Sequence, residues 1–142
     1  MNLFNGDISP TGSNIKIVPG LKKSEFEKSN LRNQVLDYQE YGYTRYYIKP
    51  QLIDNDEFLM VLLFNPEGII EFIELALTIN GAIPTWDNYS KDSELDRKDK
   101  HDKWLKRKAG YPPYKYSWGE ISSNYDPRSG SSMITIKYEY IS

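Results

Sequence analysis

Apolar and polar positions along the chain fall into segments of different period. At 133–140 Ile134, Ile136, Tyr138 and Tyr140 alternate with Thr135, Lys137 and Glu139. That period of two places one strand face in a core and the other in water. Residues 58–64 form a continuous apolar run of strand length, and 43–49 are aromatic and β-branched up to Pro50, a second strand signal. Asn65, Pro66, Glu67 and Gly68 carry Pro at the second and Gly at the fourth position, as a type I turn prefers. Residues 69–78 therefore return antiparallel, because four residues cannot cross over to a parallel neighbour. Another strand is predicted at 115–125, in which Gly119 marks a bulge or a close approach of backbone.

Two segments have helical character. Ser24 followed by Glu27 reads as a capping box, which predicts a helix over 24–33, extendable to Leu36. A charged helix begins near Ser90 or Asp92, carries Leu95, His101, Trp104 and Leu105, and stops at Gly110 with Pro112 and Pro113 beyond. Residues 1–20 contain Gly6, Pro10, Gly12, Pro19 and Gly20 and read as a loop-rich entry with one short strand at 15–18; 80–87 read as a loop. The order is short β, α, β, β, β, α, β, β. It predicts an α+β fold: one domain over 1–142, an antiparallel sheet of about five strands and two helices packed on one face. Leu59, Val61, Ile73, Leu75, Trp104, Leu105, Ile134 and Ile136 are the expected core.

A chain of 142 residues has the size of one domain and buries enough surface to fold without staples. It contains no Cys and one His. Disulfides, thiolate metal sites, cysteine nucleophiles and multi-histidine metal sites in one chain are excluded, and neither a metal nor another cofactor is expected. The longest apolar run is seven residues, against about 20 for a membrane-spanning helix. Met1 to Asp7 lacks the basic and apolar regions of a signal peptide. The expectation is a cytoplasmic protein with no membrane partner. The frequent Asn, Ile, Lys and Tyr suggest an AT-rich bacterial genome.

Four features bear on function. Residues 91–108 hold eight basic and five acidic side chains, a net +3 in a chain of net −2. Nucleic acid could use the bases at 97–108. Acids early and bases late equally offset a helix dipole, and Glu94–Lys98 and Asp99–Lys103 are spaced as i,i+4 pairs. With a pI near 5.5, nucleic acid is not the expected partner. His101 shares a helix face with Trp104. It is read as a structural histidine at a helix–sheet boundary, against a catalytic alternative in which Glu120 or Asp126 orients it. At 126–132, Asp126, Pro127 and Gly130 make a turn; Arg128 and Ser129, with Ser131 and Ser132, could form an anion pocket on it. Tyr38, Tyr41, Tyr43, Tyr46 and Tyr47 cluster around Arg45, and tyrosine suits interfaces as well as strands. Tyr46 and Tyr47 must face opposite sides of a strand. Glu71 and Glu74, three apart, are expected on opposite sides too, while Asp54, Asp56 and Glu57 lack the spacing of a calcium loop.

Glu94, His101, Asp102, Trp104 and Leu105, followed by the run from Tyr116-Ser-Trp-Gly-Glu to Asp-Pro-Arg-Ser-Gly-Ser-Ser132, resemble a family of small uncharacterised bacterial proteins. The resemblance covers roughly 85–140 and implies no activity and no catalytic residue. By analogy of size and style, it implies a toxin-neutralising immunity protein or another partner binder. The expectation is therefore a non-enzymatic, immunity-like protein-binding domain, monomeric or weakly dimeric, whose partner is another protein. Its candidate binding residues are Tyr43, Arg45, Tyr47, Arg128 and Ser129. The alternative is a small hydrolase or transferase using His101 with Glu120 or Asp126.

Overall fold

The computed structural model describes residues 2–78 and 90–139. Seven strands, β1 (Val35–Tyr41), β2 (Tyr43–Ile53), β3 (Asp56–Phe64), β4 (Ile70–Leu77), β5 (Tyr114–Tyr116), β6 (Gly119–Asp126) and β7 (Ser131–Tyr138), form one antiparallel sheet in the order β1-β2-β3-β4-β7-β6-β5. The fold is α+β, as the patterning implies. The sheet is wider than the expected five strands, for two reasons. Residues 35–41 were expected in part as the end of a helix; they instead pair with β2 across Gly42, whose φ of +77° suits a tight reversal. The expected strand over 115–125 breaks at Ser117-Trp118 into the β5–β6 hairpin.

The expected first helix is corrected in length and cap. Only Lys23–Glu27, α1, is α-helical, and Asn30–Gln34 is a 3-10 turn. Lys22 occupies the cap position without a side-chain bond. Glu27 accepts instead from the Tyr46 hydroxyl and from Arg32 Nε at 2.9 Å, so tertiary partners displace the local capping box. The short strand at 15–18 is a single bridge in which Ile8 and Ile17 exchange backbone bonds of 2.8 and 2.9 Å.

The charged helix, α2 (Lys91–Ala109), forms as expected. The Ser90 hydroxyl accepts from the Ser93 N–H at 3.0 Å, and Gly110 ends the helix at φ +80°. The expected loop at 80–87 lies outside the described residues. β2 runs on past Pro50 because the register slips between Ile48 and Gln51, where β1 no longer pairs and a missing N–H costs nothing. A two-residue turn, Asp54 and Asn55, both at positive φ, joins it to β3 in the manner of a tight hairpin.

One side of the sheet carries the core. Phe58, Met60, Leu62 and Phe64 of β3, Ile73 and Leu75 of β4, and Ile134 and Ile136 of β7 are buried there. α2 covers them with Trp104 and Leu105, and the N-terminal segment adds Ile8, Ile17, Leu21, Phe26 and Leu31. Trp104 stands edge-on to Phe58 at 5.0 Å and donates Nε1–H to Asp56 at 3.1 Å. The expectation for β3 was out of step by one residue. Leu59 lies on the opposite face and is half-buried, and Val61, although buried, lies there as well. A continuous apolar run carries no alternation from which to read the inward parity. Among the described residues, no helix is long and apolar enough to cross a membrane.

Candidate functional site

The face of the sheet turned away from α2 has no second layer over it among the described residues. Register fixes its rows, since directly paired residues share a face. One row runs Gln39, Arg45, Leu63, Phe72, Lys137; the next runs Asp37, Tyr47, Val61, Glu74, Thr135. Tyr41 and Tyr43 pair at the hairpin end. Tyr41 is 89% exposed and Tyr43 45%, while Arg45, Tyr47, Leu63 and Phe72 are half-buried. Three of the candidate binding residues, Tyr43, Arg45 and Tyr47, thus line up at every second position of β2 on this open face. Tyr46 points the other way, is buried, and packs on Phe26 and Phe64 at ring separations of 4.6 and 5.9 Å. Its hydroxyl is pushed up by burial and by the Glu27 carboxylate.

Gln39, Tyr41, Tyr43, Arg45, Leu63, Glu71 and Phe72 line a groove of roughly 420 Å³ at one end of the open face. Glu71 reaches it through a bulge. Leu63 pairs with Phe72 and Phe64 with Ile70, so Glu71 is the extra residue between them, and bulges re-aim side chains in this way. The expectation that Glu71 and Glu74 face opposite sides fails for that reason. Glu74 sits on the same open face and meets Arg45 at 3.8 Å.

The turn between β6 and β7 comes to the far end of the same face. Ser129 lines a second groove of roughly 330 Å³ together with Glu74, Asn124, Asp126, Ser131, Met133 and Thr135. The turn forms as expected, and the side chains named for the anion-pocket alternative do not converge on one point. The Arg128 side chain is 92% exposed and, among the described residues, its Nε meets only Asp126, at 3.4 Å. Ser129 and Ser131 bond to each other at 2.8 Å, and Ser132 turns inward, buried against α2. Asp126 Oδ1 accepts from the Arg128 N–H at 2.9 Å, and the Gly130 N–H reaches Asp126 O at 2.7 Å. Those bonds make a turn, and two carboxylates line its groove.

His101 lies on the other side of the sheet with no solvent exposure. Its Nε2 accepts the Leu77 N–H at 3.0 Å, and among the described residues Nδ1 has no hydrogen-bond partner. Burial and the neighbouring Arg97 charge push its pKa down to about 4, so the ring is neutral at pH 7. Neither Glu120 nor Asp126 bonds to it.

Around it lies a buried polar network absent from the expectation. Arg97 donates Nε–H to Leu77 O at 2.8 Å and pairs with Glu94. Glu94 Oε1 accepts the Ser132 N–H at 2.9 Å, while the Ser132 hydroxyl donates to Glu94 O at 2.5 Å. Glu94 was expected to pair with Lys98; Lys98 meets Asp102 instead, at 2.7 Å. The expected Asp99–Lys103 pair forms at 2.8 Å. A signal for the network was present: positions 94, 97, 101, 104 and 105 share one helical stripe, and extending the stripe upstream from His101 reaches both charged residues.

A further groove, roughly 540 Å³, lies between α2 and the β5–β6 hairpin, with Lys98, Asp102, Lys106, Lys115 and Glu120 among its lining. Partial burial raises the Asp102 carboxyl, but the hydrogen bond and charge of Lys98 outweigh it and hold the group below its ordinary value. Among the described residues, no cluster of three or more His, Asp or Glu side chains could hold a metal. No family model, curated protein or solved structure matches the chain.

Proposed function

We propose that the protein acts by binding another protein through the sheet face opposite α2, as a non-enzymatic, immunity-like interaction domain of a bacterial cytoplasm. The observation that carries this reading is the open face itself. Tyr41, Tyr43, Tyr47, Leu63 and Phe72 stand together there without a covering layer among the described residues. Tyrosines rich in contact area and poor in rotamer freedom anchor interfaces, and contiguous exposed apolar patches on sheets mark partner sites. His101, the one residue on which the catalytic alternative depends, is sealed into the other side.

Capture from the native host's lysate tests the reading, with the full chain as bait and three versions compared. Tyr43→Ser with Phe72→Ser strips the open face; Lys103→Ser with Arg107→Ser strips the outer side of α2. A protein held by the unmodified chain and by the α2 variant, and reduced at least ten-fold by the open-face variant, is the expected result. Retention that follows α2 and ignores the open face would refute it.

A further inference from the structure

Resting on the open-face reading, we propose that the groove at its hairpin end receives an arginine side chain of the partner protein. The walls are aromatic, Tyr41, Tyr43 and Phe72, and the carboxylate turned among them is Glu71. Rings that present their faces attract a cation, and the weakly hydrated guanidinium stacks on them better than an ammonium does. A carboxylate beside the rings supplies the paired acceptor that a planar guanidinium fits.

Three further observations favour a cation. Glu71 has no ion-pair partner among the described residues, whereas Arg45, the groove's own base, meets Glu74 at 3.8 Å and offsets that carboxylate. The bulge spends a ladder position to turn Glu71 into the groove. From Val35 to Thr78 the chain carries eight acidic and two basic residues; Lys23 and Lys108 offset Glu40 and Asp54, and the six other acids still outnumber the two bases, an excess that draws a basic surface and repels an acidic one.

An NMR titration of the ¹⁵N-labelled full chain with acetyl-arginine methylamide tests this, with the uncharged acetyl-citrulline methylamide as comparison. Arginine should shift the amides of residues 39–45, 63 and 71–72 together, saturating in the millimolar range, at least five-fold more tightly than citrulline. Glu71→Gln, isosteric and half-exposed, should lower that affinity about five-fold with the rest of the spectrum unchanged. Equal binding of both probes in the groove would overturn the arginine assignment and leave the open-face reading standing. Arginine shifts scattered over other carboxylates, and unaltered in Glu71→Gln, would overturn it as well.

Discussion

Single atoms decide two positions. Gly119 has φ +147°, and a Cβ built on it would lie 1.9 Å from the Lys137 carbonyl oxygen. Backbone occupies that space, so no rotamer relieves the clash. Gly119→Ala should cost ~2–4 kcal/mol in denaturant unfolding. Gly12→Ala, whose Cβ would meet nothing within 4 Å, should cost only the ~1–2 kcal/mol of a left-handed backbone. Equal losses would show that the close approach is not what selects glycine at 119. His101 makes a pH-dependent contribution of definite sign. Its folded pKa of about 4 lies below the ordinary ~6.5. Above pH ~6.5 both states hold a neutral ring and nothing is lost. Between ~6.5 and 4 the unfolded chain takes up a proton that the folded one refuses, so stability falls as pH falls, by roughly 3 kcal/mol in all. Arg97 and Lys98 reinforce the shift and Asp102 opposes it. Because the chain has one His, His101→Gln should flatten the unfolding free energy between pH 6.5 and 4.5 relative to the unmodified protein. Parallel pH profiles would sink the assignment.

At the scale of elements, α2 is held to the sheet by charge as well as by Trp104 and Leu105. Arg97 and His101, one turn apart, take the carbonyl and the N–H of Leu77 at the end of β4, while Glu94 takes Ser132 at the start of β7. Removing one member of a buried pair strands the other charge, which costs about 3–5 kcal/mol, whereas removing both together costs much less. Glu94→Leu alone should therefore destabilise by about that amount, and Glu94→Leu with Arg97→Met by clearly less than the sum of the two single changes. Additive losses in the double-mutant cycle would mean the two residues act independently. β3 offers a second test of element geometry. Leu62, fully buried on the core face, should lose about 2–5 kcal/mol on truncation to Ala, and half-buried Leu59 well under that. The reverse ranking would place the strand one residue out of register.

Across the whole molecule, the charges of α2 are mostly paired with one another. The outer side of α2 is laced with Lys98–Asp102, Lys100–Asp96 and Lys103–Asp99 pairs at 2.7–2.9 Å. Lys108 reaches Asp54 at 3.2 Å, and Arg97 is buried. Few bases remain uncompensated, and beyond the ~8–10 Å Debye length the field of such pairs largely cancels. Nucleic-acid binding needs several free bases, each steepening the salt dependence. Fluorescence anisotropy with labelled DNA and RNA at ~150 mM salt should show no binding in the micromolar range. Tight binding abolished by Lys103→Ala, Lys106→Ala and Arg107→Ala together would reverse that conclusion and make α2 the interacting surface.

Period and punctuation, both local properties, made much of the fold legible. Strict alternation placed Ile134 and Ile136 inward, Asn65 to Gly68 made the β3–β4 turn, Ser90 and Gly110 bounded α2, and Gly119 announced its close approach. The aromatic alternation around Arg45 likewise marked the surface on which Tyr43 and Tyr47 stand. Where the signal was not local, only tertiary structure decided. β1 is exposed at all but one position, so hydrophobicity could not set it apart from a helix end, and pairing with β2 makes it a strand. The parity of β3 depends on which side α2 comes to occupy, because every residue of its run is apolar. Glu94 and Arg97 count as solvated charges until β4 and β7 supply Leu77 and Ser132 to bond them. Glu71 joins the aromatic groove only because β4 pairs with β3 one residue out of step. Local chain chemistry sets what each segment can become; burial and register, which need the partner strand in place, set what each side chain faces.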